Sequence, residues 1–86
     1  MSIFPVTCPC CGYKNITATF DICDICFWEH DLVMEARPDE VGGANPVSLR
    51  EAQANFLKYG ATNREVIGFT RRPTPEDVKD PLWKPV

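Results

Sequence analysis

Eighty-six residues, 44% of them apolar and 24% charged, suit one small folding domain and exclude a multidomain enzyme, a large cofactor fold and a coiled coil. Ordering so short a chain costs roughly 1.5 kcal/mol per residue, which its buried apolar area barely offsets, so a covalent or metal staple is expected. Twelve acids against nine bases give a net charge of −3, split into seven acids and two bases over residues 1–47 and five acids and seven bases beyond, which is not the basic footprint of a nucleic-acid binder.

The chain opens without the charged and apolar regions of a secretion signal, and nothing in it approaches the roughly 20 apolar residues of a membrane helix. A cytoplasmic protein is expected. In that reducing compartment five cysteines, all between Cys8 and Cys26, point to metal or thiol chemistry rather than to disulfides.

The first cysteine group is Cys8-Pro9-Cys10-Cys11-Gly12 and the second is Cys23-Asp24-Ile25-Cys26. Two residues between ligands let both thiolates of a pair face one ion from a tight turn. Gly12 suits the positive φ that commonly follows such a turn, whereas Phe27 at the equivalent place predicts a more helical second turn. Two pairs brought together give a tetrahedron of thiolates from Cys8, Cys11, Cys23 and Cys26, which selects Zn²⁺ or a single iron, with structural Zn²⁺ the expected ion. Binding of that kind contributes on the order of 10–16 kcal/mol, so the metal-free form is expected to be unfolded or molten. Four thiolates and one Zn²⁺ would also make the folded protein more acidic. Cys10 is left over, as a small buried side chain, an alternative ligand exchanging with Cys11, or a reactive thiol. His30 reads as a surface residue rather than a ligand.

Between the pairs, Ile16, Ala18 and Phe20 alternate with Thr17 and Thr19, predicting a short half-buried strand. Residues 31–47 read as a loop with turn signals at Arg37-Pro38-Asp39 and Gly42-Gly43-Ala44-Asn45-Pro46. Ser48-Leu49-Arg50-Glu51 is a capping box, opening a helix over 49–59 with Leu49, Ala52, Phe56 and Tyr59 on one face and Gly60 as its stop. Thr62-Asn63-Arg64-Glu65 repeats the capping pattern for a further turn. Thr74-Pro75 resembles another helix start, and the tail is extended, with Trp83 folding back on the domain. Together these predict a small α+β domain over residues 1–86: a zinc-knuckle, zinc-ribbon-like β-hairpin packed on one main helix, with a wrapping C-terminal segment.

Cys8-Pro9-Cys10-Cys11-Gly12-Tyr13, then Asp21-Ile22-Cys23-Asp24-Ile25-Cys26-Phe27-Trp28-Glu29, closely resembles the bacterial cysteine-rich CPCC domain family. The likeness continues through Gly42-Gly43-Ala44-Asn45, Ser48-Leu49, Ala52, Asn55-Phe56 and Tyr59-Gly60-Ala61 to Arg71-Arg72-Pro73. It implies a stand-alone zinc-binding domain and carries no established activity. Some similar small acidic proteins look like immunity proteins that neutralise a toxin.

No nucleophilic triad, phosphate-binding glycine loop or histidine-based acid–base pair stands out, and four cysteines close the metal's shell, so no enzyme is expected. The expected function is protein binding, in its sharpest form an immunity or antitoxin role against a basic toxin domain. The candidate surface is the acidic stretch Glu29, Asp31, Glu35, Asp39 and Glu40, with Trp28 more readily a core residue packed beside the knuckle than an aromatic anchor. Alternatives are a nucleic-acid-associated zinc ribbon using Arg64, Arg71 and Arg72, and a thiol- or redox-responsive regulator.

Overall fold

In the computed structural model, which describes residues 3–86, the backbone from Val6 to Glu29 makes the same turn twice. In the first knuckle Val6 and Ile16 exchange backbone hydrogen bonds, the Cys8 N–H reaches Tyr13 O at 2.8 Å, and the Gly12 N–H reaches Cys8 O at 2.8 Å. In the second, Ile22 bridges Glu29, the Cys23 N–H reaches Trp28 O at 2.8 Å, and the Phe27 N–H reaches Cys23 O at 2.7 Å. The second turn is thus no more helical than the first. Phe27 accepts a left-handed φ of 73° where Gly12 has 83°.

The predicted strand does not form. Ile16 is fully buried, but Ala18 and Phe20 are exposed, and the chain turns where the alternation called for extension. Asp21 closes that turn: one carboxylate oxygen accepts from the Thr17 N–H and hydroxyl, and its own N–H reaches Ala18 O. Side-chain hydrogen bonds of this kind compete with a strand ladder. Among the described residues the β-structure is limited to isolated antiparallel bridges, Val6–Ile16, Ile22–Glu29 and Tyr13–Lys79.

The loop expected over 31–47 contains a short helix, α1 (Leu32–Ala36), too brief to display helical periodicity. Asp31 caps it by accepting from Val33 and Met34, and its second oxygen accepts from the Ala44 N–H. This fold-over requires Gly43, since a Cβ there would stand 2.7 Å from both Asp31 Oδ2 and Met34 Sδ. The Asn45 amide then imitates a strand partner, exchanging hydrogen bonds of 2.8 and 2.9 Å with the Glu29 backbone.

The main helix, α2 (Leu49–Tyr59), has its predicted bounds. The Ser48 hydroxyl accepts from the Glu51 N–H, and left-handed Gly60 ends the helix by donating to Phe56 O. Its buried stripe is Leu49, Ala52 and Gln53; Phe56 is half-buried, and Tyr59 and Leu57 face outward. A 3-10 helix follows at Arg64–Phe69, without a side-chain cap from Asn63. Thr74 opens a turn rather than a helix, closed by Asp77. The tail returns as predicted. The Trp83 Nε1–H donates to Pro9 O at 2.8 Å, the same carbonyl that accepts from Gln53 of α2.

The core is built on the knuckles: all five cysteines, with Ile16, Ile25, Trp28, Met34, Leu49 and Ala52 packed around them. With a radius of gyration of 11.8 Å, the chain is compact. No helix among the described residues is long and apolar enough to cross a membrane.

Candidate metal centre

The repeated knuckle turns the four spaced cysteines toward one point. The Sγ atoms of Cys8, Cys11, Cys23 and Cys26 all lie within 4.8 Å of one another, and every one of these residues is fully buried. Cys8 and Cys26 approach to 3.5 Å and Cys11 and Cys23 to 3.7 Å. An ion with metal–sulfur bonds of about 2.3 Å in a tetrahedron spaces its ligands about 3.8 Å apart, so the cluster fits a tetrathiolate ion. The electrostatics fit as well. Burial pushes the Cys8 and Cys26 thiols up, while hydrogen bonds from Cys11 and the other cysteines hold Cys23 down. Four thiolates packed this closely repel one another, and a central cation removes that penalty.

Asn15 supports the cluster, and nothing in the sequence singled it out. Its amide stands 3.2 Å from Cys23 Sγ and 2.7 Å from Asp24 Oδ1, tying the linker between the pairs to the second knuckle. Such outer partners orient metal ligands. The bases nearest in sequence do not serve this role: Lys14 is exposed, and Arg37 pairs with Glu40 at 3.4 Å.

Cys10 lies outside the cluster, 1% exposed, lining an apolar groove of about 350 Å³ beneath Trp83. His30 is a buried residue rather than the surface one expected. Its Nδ1 lies 2.8 Å from Glu35 Oε2, which also accepts from the Trp28 Nε1–H at 3.0 Å. Trp28 is fully buried against the knuckles and is therefore not an available anchor.

The acidic stretch is partly taken up by the fold. Asp31 caps α1, and the amides of Ala44, Met34 and Val33 hold its carboxyl below the usual range. Glu35 is enclosed with Trp28 and His30, and that burial pushes its carboxyl up. Asp39 pairs with Arg50 at 2.6 Å, and Glu40 with Arg37. Of the predicted surface, Glu29 keeps a side chain without an ion-pair partner among the described residues, and it is only half exposed. Asp31 and Glu35 are thus enclosed by the fold, whereas Asp39 and Glu40 stay at the surface in ion pairs with Arg50 and Arg37.

The pattern of the cysteine-rich CPCC family matches residues 6–77, most of the chain. The chain belongs to the cysteine-rich CPCC family. Comparison with curated proteins and with solved structures gave no match. In this CPCC chain each part of the motif has a visible physical role. Cys8 and Cys11 are cluster members, and the Pro9 carbonyl between them ties α2 and the tail to the knuckle. Gly43 and Asn45 fold the acidic segment, Asn55 donates to Thr62 O, and the Thr62 N–H donates to Cys26 O. Arg71 clips the C-terminal segment to the second knuckle through Asp24 at 2.8 Å.

Proposed function

We propose that this protein is a non-enzymatic, zinc-stabilised protein-binding module, its two knuckles forming a zinc-ribbon-like centre. The observation that carries this reading is the closed, fully buried set of four cysteine sulfurs within 4.8 Å of one another. Such a set occupies every position of a tetrahedral ion and suits a structural role, since a catalytic zinc keeps one position open. Thiolate ligands and tetrahedral spacing favour Zn²⁺. The ion would hold the two turns together and so position α2 and the C-terminal segment as a rigid surface.

The experiment is metal analysis of the purified protein with thiol titration before and after chelation. One zinc per chain and four protected thiols support the reading; a folded, metal-free chain contradicts it.

Neutralisation of a toxin is the finer form of the proposal. It draws on the small size, the net charge of −3 and the immunity-like character of similar small proteins. The enclosure of Asp31 and Glu35 leaves Asp39 and Glu40, already paired at the surface with Arg50 and Arg37, as the exposed acids of that stretch. Co-expression with a toxin encoded beside the gene tests this form: rescued growth supports it, and unrelieved killing removes it.

A further inference from the structure

Two basic side chains, Lys58 and Arg72, rim a groove. The groove, about 510 Å³, runs between the end of α2, the 3-10 helix and the segment after it. Its apolar wall is Phe56, Tyr59, Ile67 and Pro73; Lys58, Arg71 and Arg72 also line it, and no carboxylate does. Arg71 is already neutralised, because its guanidinium meets Asp24 at 2.8 Å and Asp77 at 2.7 Å. Lys58 and Arg72 are exposed and have no ion-pair partner among the described residues. An anionic occupant would therefore gain their attraction without displacing an existing ion pair.

We propose that this groove binds an acidic peptide segment of a partner protein, with an aliphatic or aromatic side chain seated on Phe56, Tyr59 and Ile67 and flanking carboxylates meeting Lys58 and Arg72. The apolar wall beside two unpaired bases suits such a segment. Two free cations are few for a phosphate backbone. The inference rests on the protein-binding reading and specifies its partner: the contact is made by the partner's acids on this chain's bases, the reverse of the polarity expected from the sequence.

The test is selection of a random dodecapeptide display library on the zinc-loaded protein. Enriched peptides should carry Asp or Glu beside an aliphatic or aromatic residue and lose affinity as salt is raised. The double variant K58E/R72E should weaken them by about tenfold or more. A second variant, I67R, blocks the apolar wall without removing a base and should weaken them as well. All the altered positions are exposed, and zinc content and melting temperature check that each variant is folded. Enriched peptides that are basic, or that ignore both variants, overturn the groove assignment while leaving a protein-binding module in place. A library that yields no binder overturns both. Single-stranded RNA that binds the wild type and is lost in K58E/R72E replaces the peptide with nucleic acid.

Discussion

Gly12 and Phe27 hold the same place in the two knuckles, each directly after the second cysteine of its pair, and both have a left-handed backbone, with φ of 83° and 73°. Each donates its N–H back to the first cysteine of that pair, Gly12 to Cys8 O and Phe27 to Cys23 O. Identical geometry with such different side chains gives opposite consequences for substitution. A Cβ at Gly12 would stand 2.8 Å from the Trp83 ring, whereas the Phe27 ring reaches out to Phe69 at a centroid distance of 5.6 Å.

Gly12→Ala should therefore destabilise the metal-loaded protein by about 2–4 kcal/mol, combining left-handed strain with a clash against Trp83. Phe27→Gly relieves the same strain but loses the ring contact, and should stay within about 1 kcal/mol of wild type. Thermal denaturation of the two variants checks the pair, and equal losses would contradict the asymmetry.

Removing the metal should melt the core, because the cluster cysteines and Cys10 lie at its centre beside Ile16, Ile25 and Trp28. Chelation should abolish the near-ultraviolet circular dichroism of the buried tryptophan, and Zn²⁺ should restore it. Acidification should act in the same direction: burial raises the Cys8 and Cys26 thiols, so protons compete strongly with the ion for these sulfurs. Zinc release followed with a chromogenic chelator should increase as pH falls.

Glu35 should leave a pH signature of its own. Burial raises its carboxyl above the unfolded value, so the folded state holds this proton more tightly. Its contribution is fully present below the unfolded pKa and declines as pH rises through the raised folded one. The lowered carboxyls of Asp21, Asp31, Asp77 and Asp80 act oppositely: their contribution is present above the unfolded carboxyl pKa and is lost as pH falls through the lowered values. The stability of Glu35→Gln relative to wild type should thus rise between mildly acidic and neutral pH. Glu35→Ala strands the Trp28 Nε1–H and His30 Nδ1, and should cost about 1–3 kcal/mol at neutral pH. Denaturant titrations across the range read both effects.

Trp83 and Cys10 line the same groove, and Cys10 is only 1% exposed. In the metal-loaded protein Cys10 should be alkylated slowly. Trp83→Ala removes the hydrogen bond to Pro9 and the ring over Gly12, and should speed Cys10 labelling as well as lowering stability. Mass spectrometry of iodoacetamide-treated protein gives the rate at each cysteine, and unchanged Cys10 labelling in the variant would exclude this covering role.

Local signals were legible where the chemistry is local. Ser48 and Gly60 mark the ends of α2 because a cap and a left-handed stop act within one turn of the residues they satisfy. The alternation of Ile16, Ala18 and Phe20 misled because the Asp21 carboxylate, four residues from Thr17, closes a turn that hydropathy does not register. α1 escaped because five residues are too few for a helical period, and its cap depends on Gly43 and Ala44 folding back to Asp31.

By itself the sequence determined which four cysteines cluster and that Cys10 is left over, since Cys-x-x-Cys spacing confines each pair of thiols to a single tight turn. Only the tertiary structure decided which charges remain free. Asp39 meets Arg50 of α2 and Asp24 meets Arg71 of the C-terminal segment, whereas Lys58 and Arg72 meet no carboxylate among the described residues. Formal charge is a property of composition, whereas the availability of that charge depends on which groups folding brings together.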